Sequence, residues 1–358
     1  MHVVIRADAS SSIGTGHIMR CLTLAKELKK RGANITLITQ SLPKNLYLIA
    51  NNFTDHIYEI DVSESLDNSS HVLNWQEDAL SSINIVRKIA PVKLLIVDHY
   101  QLDINWEDLM RPYVEKIVVI DDLANRLHDA DFLLDPNYPD DEERYKTKLP
   151  PKCKILSGTK YALLREEFQL DNFVDVKCER NRLLIQFGGA DSTNITEFTV
   201  RALAPLLEKG MPCDIVVGSA YEHEEDLKST LDEFNFPFVK LHVSVNNIST
   251  LMSCAKLAVA SGGTSVWERC CVGLPSIVMA IADNQVSPLI RLEETQAIHY
   301  VGCAENVLPL DLLYTVNLYW NDSKRLEKMS IFGSKLIDGK GASRVLDVIF
   351  SDAVCYKH

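Results

Sequence analysis

The chain has 358 residues, 46% of them hydrophobic and 24% charged, and a formal net charge of −12. That length suits two domains of roughly 150–200 residues whose cores need neither disulfides nor metals. The acidic balance argues against a nucleic-acid face, which requires a dense basic patch, but leaves room for local binding of a small anion.

The N-terminal run VVIRAD (3–8) predicts a buried strand that enters the fold at once, without the length or flanks of a signal peptide. ANITLIT (33–39), KLLIVD (93–98), KIVVID (116–121) and DFLLD (131–135) predict further strands, with helices near 17–31, 43–51, 75–90 and 104–111 between them. The alternation restarts with strands at 182–187, 213–218, 237–243, 256–260 and 275–280, separated by helices near 194–208, 222–233, 247–253, 263–272 and 284–295. A helical tail begins near Asp322. Continuous apolar strands spaced by helices predict parallel sheets covered on both faces.

Strand character lapses between about Arg165 and Asn181. The expectation is an α/β chain of GT-B type: two doubly wound Rossmann-like domains whose parallel sheets face a central crevice. Residues 1–168 form the N-terminal domain with the sugar side, 169–335 the nucleotide-binding domain, and 336–358 a helical tail bracing the two. No uninterrupted apolar run approaches the ~20 residues of a membrane span. Nine scattered cysteines without a C-x-x-C pair read as reduced thiols of a cytoplasmic protein.

Two glycine turns carry the candidate chemistry. In SSIGTGHIMRC (11–21) a strand, Gly14 and Gly16, and then a helix follow one another, with His17 at the helix start. Glycine lets a ligand approach the backbone, and the spacing matches neither the dinucleotide fingerprint nor a P-loop. The residues alone leave open a histidine in the mouth of an anion site or an incidental surface histidine beside a helix-start turn. In VASGGTSVWERCCVGLP (259–275), Gly262, Gly263, Thr264 and Ser265 form a second candidate cradle, with Glu268 one turn on, suited to ribose hydroxyls or simply to the helix dipole. FGGADSTNIT (187–196) is a comparable loop.

Asn284 and Gln285 in IADNQ would orient a sugar or a water, or cap a helix. Arg165 in KYALLREEF would fork onto phosphate oxygens or pair with Glu166, Glu167 or another neighbour. Asp98, His99, Tyr100, Asp121 and Asp122 stand at strand ends, where acids select a substrate or cap loops. No Cys/His cluster at zinc spacing and no D-x-D motif of the metal-dependent glycosyltransferase kind is read in the sequence, so no metal and no cofactor is expected.

RADASSSIGTGHIMRCLTLA, VDHYQLD, IDDLANR, DPNY, KYALLREEF, FGGAD, SGGTSVWE and ADNQ, in that order, resemble the signatures of the UDP-2,4-diacetamido-2,4,6-trideoxy-β-L-altropyranose hydrolase family of pseudaminic acid biosynthesis. The resemblance spans Val3 to about Arg344. It implies the two-domain GT-B fold, similar to the UDP-N-acetylglucosamine transferase of peptidoglycan synthesis, with UDP in the C-terminal half. It further implies metal-independent, inverting cleavage of the anomeric bond by water, serving flagellin or surface glycan modification. His17 matches the family's catalytic base, Arg165 its substrate-binding arginine and Glu268 its substrate-binding glutamate. Asp8, Asp98, Tyr100 and Asn284 are candidates to tune His17. The partner implied is a UDP-sugar; oligomeric state stays open, a monomer being sufficient. A glycosyltransferase using a hydroxyl acceptor, or a non-catalytic nucleotide-sugar binder, are the rival readings.

Overall fold

A computed structural model describes residues 1–9, 14–67, 70–169 and 179–351, without the side chains of 64–67 and 70–72. Residues 11–13 of the first glycine turn, 170–178 of the expected linker and 352–358 of the tail lie outside the described residues. The chain divides into two compact units, Met1–Leu163 with Lys340–His358, and Leu164–Gly339.

In the first unit, β1 (His2–Ala7), β2 (Asn34–Thr39), β3 (His56–Glu59), β6 (Val92–Asp98), β7 (Ile117–Ile120), β8 (Phe132–Asp135) and β9 (Lys154–Ser157) form a seven-stranded sheet in the order β3-β2-β1-β6-β7-β8-β9. Every pairing in it is parallel. β4 (Glu64–Asp67) and β5 (Ser70–Leu73) make a separate antiparallel pair. Alternate residues of β1 feed opposite faces. Val3 and Ile5 join a cluster with Ile18, Leu24 and Leu28 of α1 (Gly16–Lys30), while Val4 joins one with Ala79 and Val86 of α3 (Trp75–Ile89) and Trp106 of α4 (Ile104–Met110). This double covering is why the strands read as unbroken apolar runs.

The second unit has six parallel strands in the order β12-β11-β10-β13-β14-β15. They are β10 (Arg182–Gln186), β11 (Cys213–Val217), β12 (Val239–Val243), β13 (Ala255–Ser261), β14 (Ser276–Ala280) and β15 (Ile298–Cys303). Leu183, Ile185, Leu257, Val259 and Ile277 pack with Val200 and Leu203 of α5 (Ile195–Leu207) and with Leu312 and Val316 of α10 (Pro309–Trp320).

In each sheet the strand order reverses at the first strand, between β1 and β6 and between β10 and β13. Loops leaving the carboxyl ends of such a strand pair are splayed apart, which leaves space for a ligand there.

The expected boundary at 168 and the expected tail from 336 differ from the division observed. The second unit begins at Leu164 and ends at Gly339, and the chain then returns to the first unit. α12 (Gly341–Ser351) buries Val345, Leu346 and Ile349 in the cluster around α1. Gly341 permits that return, since a Cβ there would stand 2.1 Å from the Ala162 carbonyl oxygen. The reading of all cysteines as free thiols also needs correction, because Cys254 is disulfide-bonded; Cys21, Cys153, Cys213, Cys270, Cys271 and Cys303 are free.

Candidate active site

His17 sits on the first turn of α1, directly above the switch point of the first sheet. Gly14, at φ +79°, makes the turn before it, a conformation that favours glycine; Gly16 opens the helix. The histidine is no incidental surface residue. It is 6% exposed, and its Nδ1 lies 2.5 Å from Oδ1 of Asp98, the last residue of β6, itself fully buried.

Arg20, one turn further along α1, closes the other side of that carboxylate, with Nε 2.5 Å from Oδ2 and Nη2 2.7 Å from Oδ1. Nη1 of Arg20 reaches Oδ2 of Asp122 at 3.0 Å, and the Tyr100 hydroxyl donates to Oδ1 of Asp122 at 2.9 Å. The Tyr100 ring meets the His17 ring edge-on, with centroids 4.5 Å apart. Burial works to raise the Asp98 pKa, but the charge of Arg20, with His17 behind it, outweighs burial and holds the carboxyl well below its ordinary range. Burial and the nearby Asp122 carboxylate push the Tyr100 phenol up, so it stays a neutral donor.

An ionised Asp98 can only accept, so the proton of the His17–Asp98 contact resides on Nδ1. Whenever the imidazole is neutral, Nε2 therefore carries the lone pair. This is the arrangement of an imidazole set to take a proton.

Asp8 follows β1 and is 2% exposed. Its oxygens accept from Arg6, the Thr39 hydroxyl and the Gln40 amide, and Nε2 of His99 lies 3.1 Å away. Burial opposes ionisation, yet Arg6, then His99, hold Asp8 far below the usual carboxylate range. Arg6 in turn reaches Asp78 of α3, which also accepts from the Trp106 indole at 2.8 Å. Asp8 is thus committed to a buried network under the switch point, while Asp98 holds His17 itself.

In the second unit, Arg165 and Glu268 are brought together. Nε and Nη2 of Arg165 lie 3.1 and 3.0 Å from Oε1 of Glu268, and Nη1 lies 2.7 Å from Oε1 of Glu167. Burial disfavours the guanidinium charge, but Glu268 and Glu167 outweigh it and raise the Arg165 pKa.

The loop between β13 and α8 (Ser265–Cys271) leaves the N–H groups of Gly263, Thr264 and Ser265 without an acceptor among the described residues. Gly262 packs closely: a Cβ there would stand 2.3 Å from the side chain of Leu289 of α9 (Asp283–Glu293), which would have to shift to admit it. Gln285 accepts the Ile281 amide on Oε1 at 3.1 Å, and its Nε2 is 3.8 Å from where a Gly263 Cβ would stand. Asn284 is exposed on the first turn of α9. The loop 187–194 offers its helix no free start, since the Asp191 carboxylate already accepts from the Ile195 and Thr196 amides of α5.

Sequence reasoning missed Arg20 and Arg269. The signal for Arg20 was present: it occupies the buried face of α1 with His17, Cys21, Leu24 and Leu28, where a charge demands a buried partner. Arg269 is likewise fully buried on α8. Among the described residues, no group of three or more His, Cys, Asp or Glu side chains is arranged to hold a metal ion. No described helix is long and apolar enough to cross a membrane.

No family model matches the chain. It is 26% identical to the spore coat polysaccharide biosynthesis protein SpsG of Bacillus subtilis (strain 168), across 98% of each chain. It is 28% identical to the UDP-2,4-diacetamido-2,4,6-trideoxy-β-L-altropyranose hydrolase of Campylobacter jejuni subsp. jejuni serotype O:2, across 75% of this chain and 87% of that one. Of the solved structures, MurG of Acinetobacter baumannii matches with a TM-score of 0.67 at 16% identity, covering 98% of this chain and 99% of that one. The chain has the GT-B fold, and the two sequence relatives given above are named for polysaccharide biosynthesis and for UDP-sugar hydrolysis, while others are named as a UDP-N-acetylglucosamine transferase.

Proposed function

We propose that this chain is a metal-independent UDP-sugar hydrolase that releases UDP and the free sugar from UDP-2,4-diacetamido-2,4,6-trideoxy-β-L-altropyranose, for pseudaminic acid biosynthesis. The observation that carries the reading is the 2.5 Å contact between His17 Nδ1 and a buried, ionised Asp98, which leaves Nε2 as a base. The sugar is chosen on the similarity to the Campylobacter hydrolase.

In this reading Nε2 of His17 takes a proton from water as the water oxygen bonds to the anomeric carbon. The bond from that carbon to the diphosphate oxygen breaks, its electron pair leaves with UDP, and because the water attacks the face opposite the leaving group the configuration inverts. Asp98 stabilises the imidazolium that forms, as the acid of a triad does. UDP departs as an anion and needs no general acid where donors hold its charge. Within the second unit, the loop 262–265 and Gln285 are the candidate donors to a UDP diphosphate, and Glu268, held by Arg165, is the candidate acceptor for the ribose hydroxyls.

The test is UDP release by the purified chain from that UDP-sugar, in EDTA and without acceptor. His17→Ala should lower the rate by about 10²–10⁴. Release that requires an added hydroxyl acceptor would replace hydrolysis with sugar transfer, since the same base could deprotonate an alcohol. Binding of the nucleotide without turnover under either condition would reduce the chain to a binder.

A further inference from the structure

Asp122 follows β7, two strands from β1 in the first sheet, and joins two groups that lead separately to His17. Its Oδ2 accepts from Arg20 Nη1 at 3.0 Å, and its Oδ1 accepts from the Tyr100 hydroxyl at 2.9 Å. Neither donor has another acceptor among the described residues. From Arg20 the path runs through Asp98, whose Oδ2 lies 2.5 Å from Arg20 Nε and whose Oδ1 lies 2.5 Å from His17 Nδ1. From Tyr100 it runs directly, because the phenol ring meets the imidazole edge-on at 4.5 Å between centroids. The contacts close a ring, His17–Asp98–Arg20–Asp122–Tyr100, built from α1 and the ends of β6 and β7.

A hydrogen bond at Nδ1 fixes where the imidazole pivots but not the angle of its plane, which the Tyr100 edge sets. A base must point its lone pair at the proton it takes, and a small misplacement is costly. Both constraints lead back to Asp122. Burial disfavours the Arg20 charge, but Asp98 first and Asp122 second outweigh it and raise the Arg20 pKa. Arg20 also shares Asp98 Oδ1 with His17, its Nη2 lying 2.7 Å from that oxygen and 3.3 Å from Nδ1. Without Asp122, Arg20 would have Asp98 as its remaining carboxylate and would compete with the imidazole for it. The neighbouring cations do not take the Asp122 carboxylate. Arg126, over the Tyr100 ring, pairs with Asp121, and Arg144 donates to the Asp122 backbone carbonyl.

We infer that Asp122 is a positioning residue for His17: by accepting from Arg20 and Tyr100 together it fixes the plane of the imidazole and the direction of Nε2. It touches neither His17 nor the reacting atoms. What Nε2 is aimed at, a water beside the anomeric carbon, rests on the hydrolase reading; the ring that aims it does not.

The test measures kcat and KM for the UDP-sugar, the Kd of UDP, thermal unfolding, and the proton resonance of His17 Nδ1–H, assigned by its loss in His17→Gln. The full chain is compared with Asp122→Ala, Asp122→Asn and Tyr100→Phe. Asp122→Ala should lower kcat about 10–100-fold, leave KM and UDP affinity unchanged, and shift or broaden the Nδ1–H resonance. Asn can accept from Arg20 through its oxygen and donate to the Tyr100 oxygen through its nitrogen, so Asp122→Asn should recover most of the turnover and the resonance. Tyr100→Phe opens the same ring one joint away; it should cost about as much as Asp122→Ala, and the double variant little more. A raised KM with kcat intact would place Asp122 on the substrate. A lower Tm with kcat and resonance unchanged would make it a structural brace. Either result overturns the inference. Should Asp122→Ala fail to fold, Asp122→Ser, whose side chain is too short to reach both partners, is read in its place. If the chain turns over no UDP-sugar, the hydrolase reading fails and the resonance decides alone. Displaced in Asp122→Ala and recovered in Asp122→Asn, it upholds the inference; unmoved, it sinks it.

Discussion

Arg165 directs both Nε and Nη2 at a single oxygen of Glu268, at 3.1 and 3.0 Å, across 103 residues of sequence. The two side chains had separate expected roles, one on phosphate and one on ribose. Their contact makes them one unit, in which the arginine fixes the carboxylate through Oε1 and the second oxygen, Oε2, accepts from no described residue.

Residues that act as a unit lose function together. Glu268→Gln and Arg165→Met should each lower kcat/KM for the UDP-sugar, and the double variant should be little worse than the more damaging single change. The expected coupling energy is about 1–3 kcal/mol. Strictly additive losses would mean that each residue meets the substrate independently.

Asp98→Asn keeps the shape of the acceptor but can present an N–H to Nδ1 of His17, which favours the wrong tautomer. Turnover should fall by about 10²–10⁴, with UDP affinity unchanged. The same change leaves Arg20 with Asp122 as its remaining carboxylate. Removing the carboxylate of a buried pair costs about 3–5 kcal/mol, which thermal unfolding would register. A turnover loss of only two- or threefold would remove Asp98 from the role of orienting His17.

Asp135 ends β8, is 2% exposed and accepts from the Tyr145 hydroxyl at 3.1 Å. Burial, only partly offset by Arg144, lifts its pKa from 3.8 to about 6. Between those values the folded chain holds a proton that the unfolded chain has released, so stability falls as pH rises through that window. Asp135→Asn should therefore stabilise the protein by about 1–3 kcal/mol at pH 7.5 and by almost nothing at pH 4. An equal gain at both pH values would assign the effect to the amide's own hydrogen bonds rather than to the removed charge.

The strands and helices legible in the sequence are those whose burial forces a pattern. β1, β2, β6, β7 and β8, and β10 to β14, appear as apolar runs, most of them because both their faces are covered. β3 and β15 are edge strands with half-exposed sequences, HIYE and IHYVGC, and β9 is a four-residue edge strand; none was expected. The hairpin β4–β5 and the helix α10 were missed too. α10 exposes Leu310, Tyr314 and Leu318, which blurs the amphipathic period that would have revealed it.

The sequence by itself determined two parallel α/β units, the strand–glycine–helix turns that open each one, and the presence of His17 at such a turn. These follow from local rules: apolar runs bury, glycine turns, and a helix begins where the apolar period changes. The tertiary structure alone decided that Asp98 and Arg20 hold His17, that Asp8 is spent on Arg6, that Arg165 and Glu268 form one pair, and that Arg269 has no carboxylate partner among the described residues. The pairings of His17 with Asp98 and of Arg165 with Glu268 depend on a charge finding its partner in a distant segment. Burial makes such pairing compulsory, but only the register of the folded strands decides which partner is within reach.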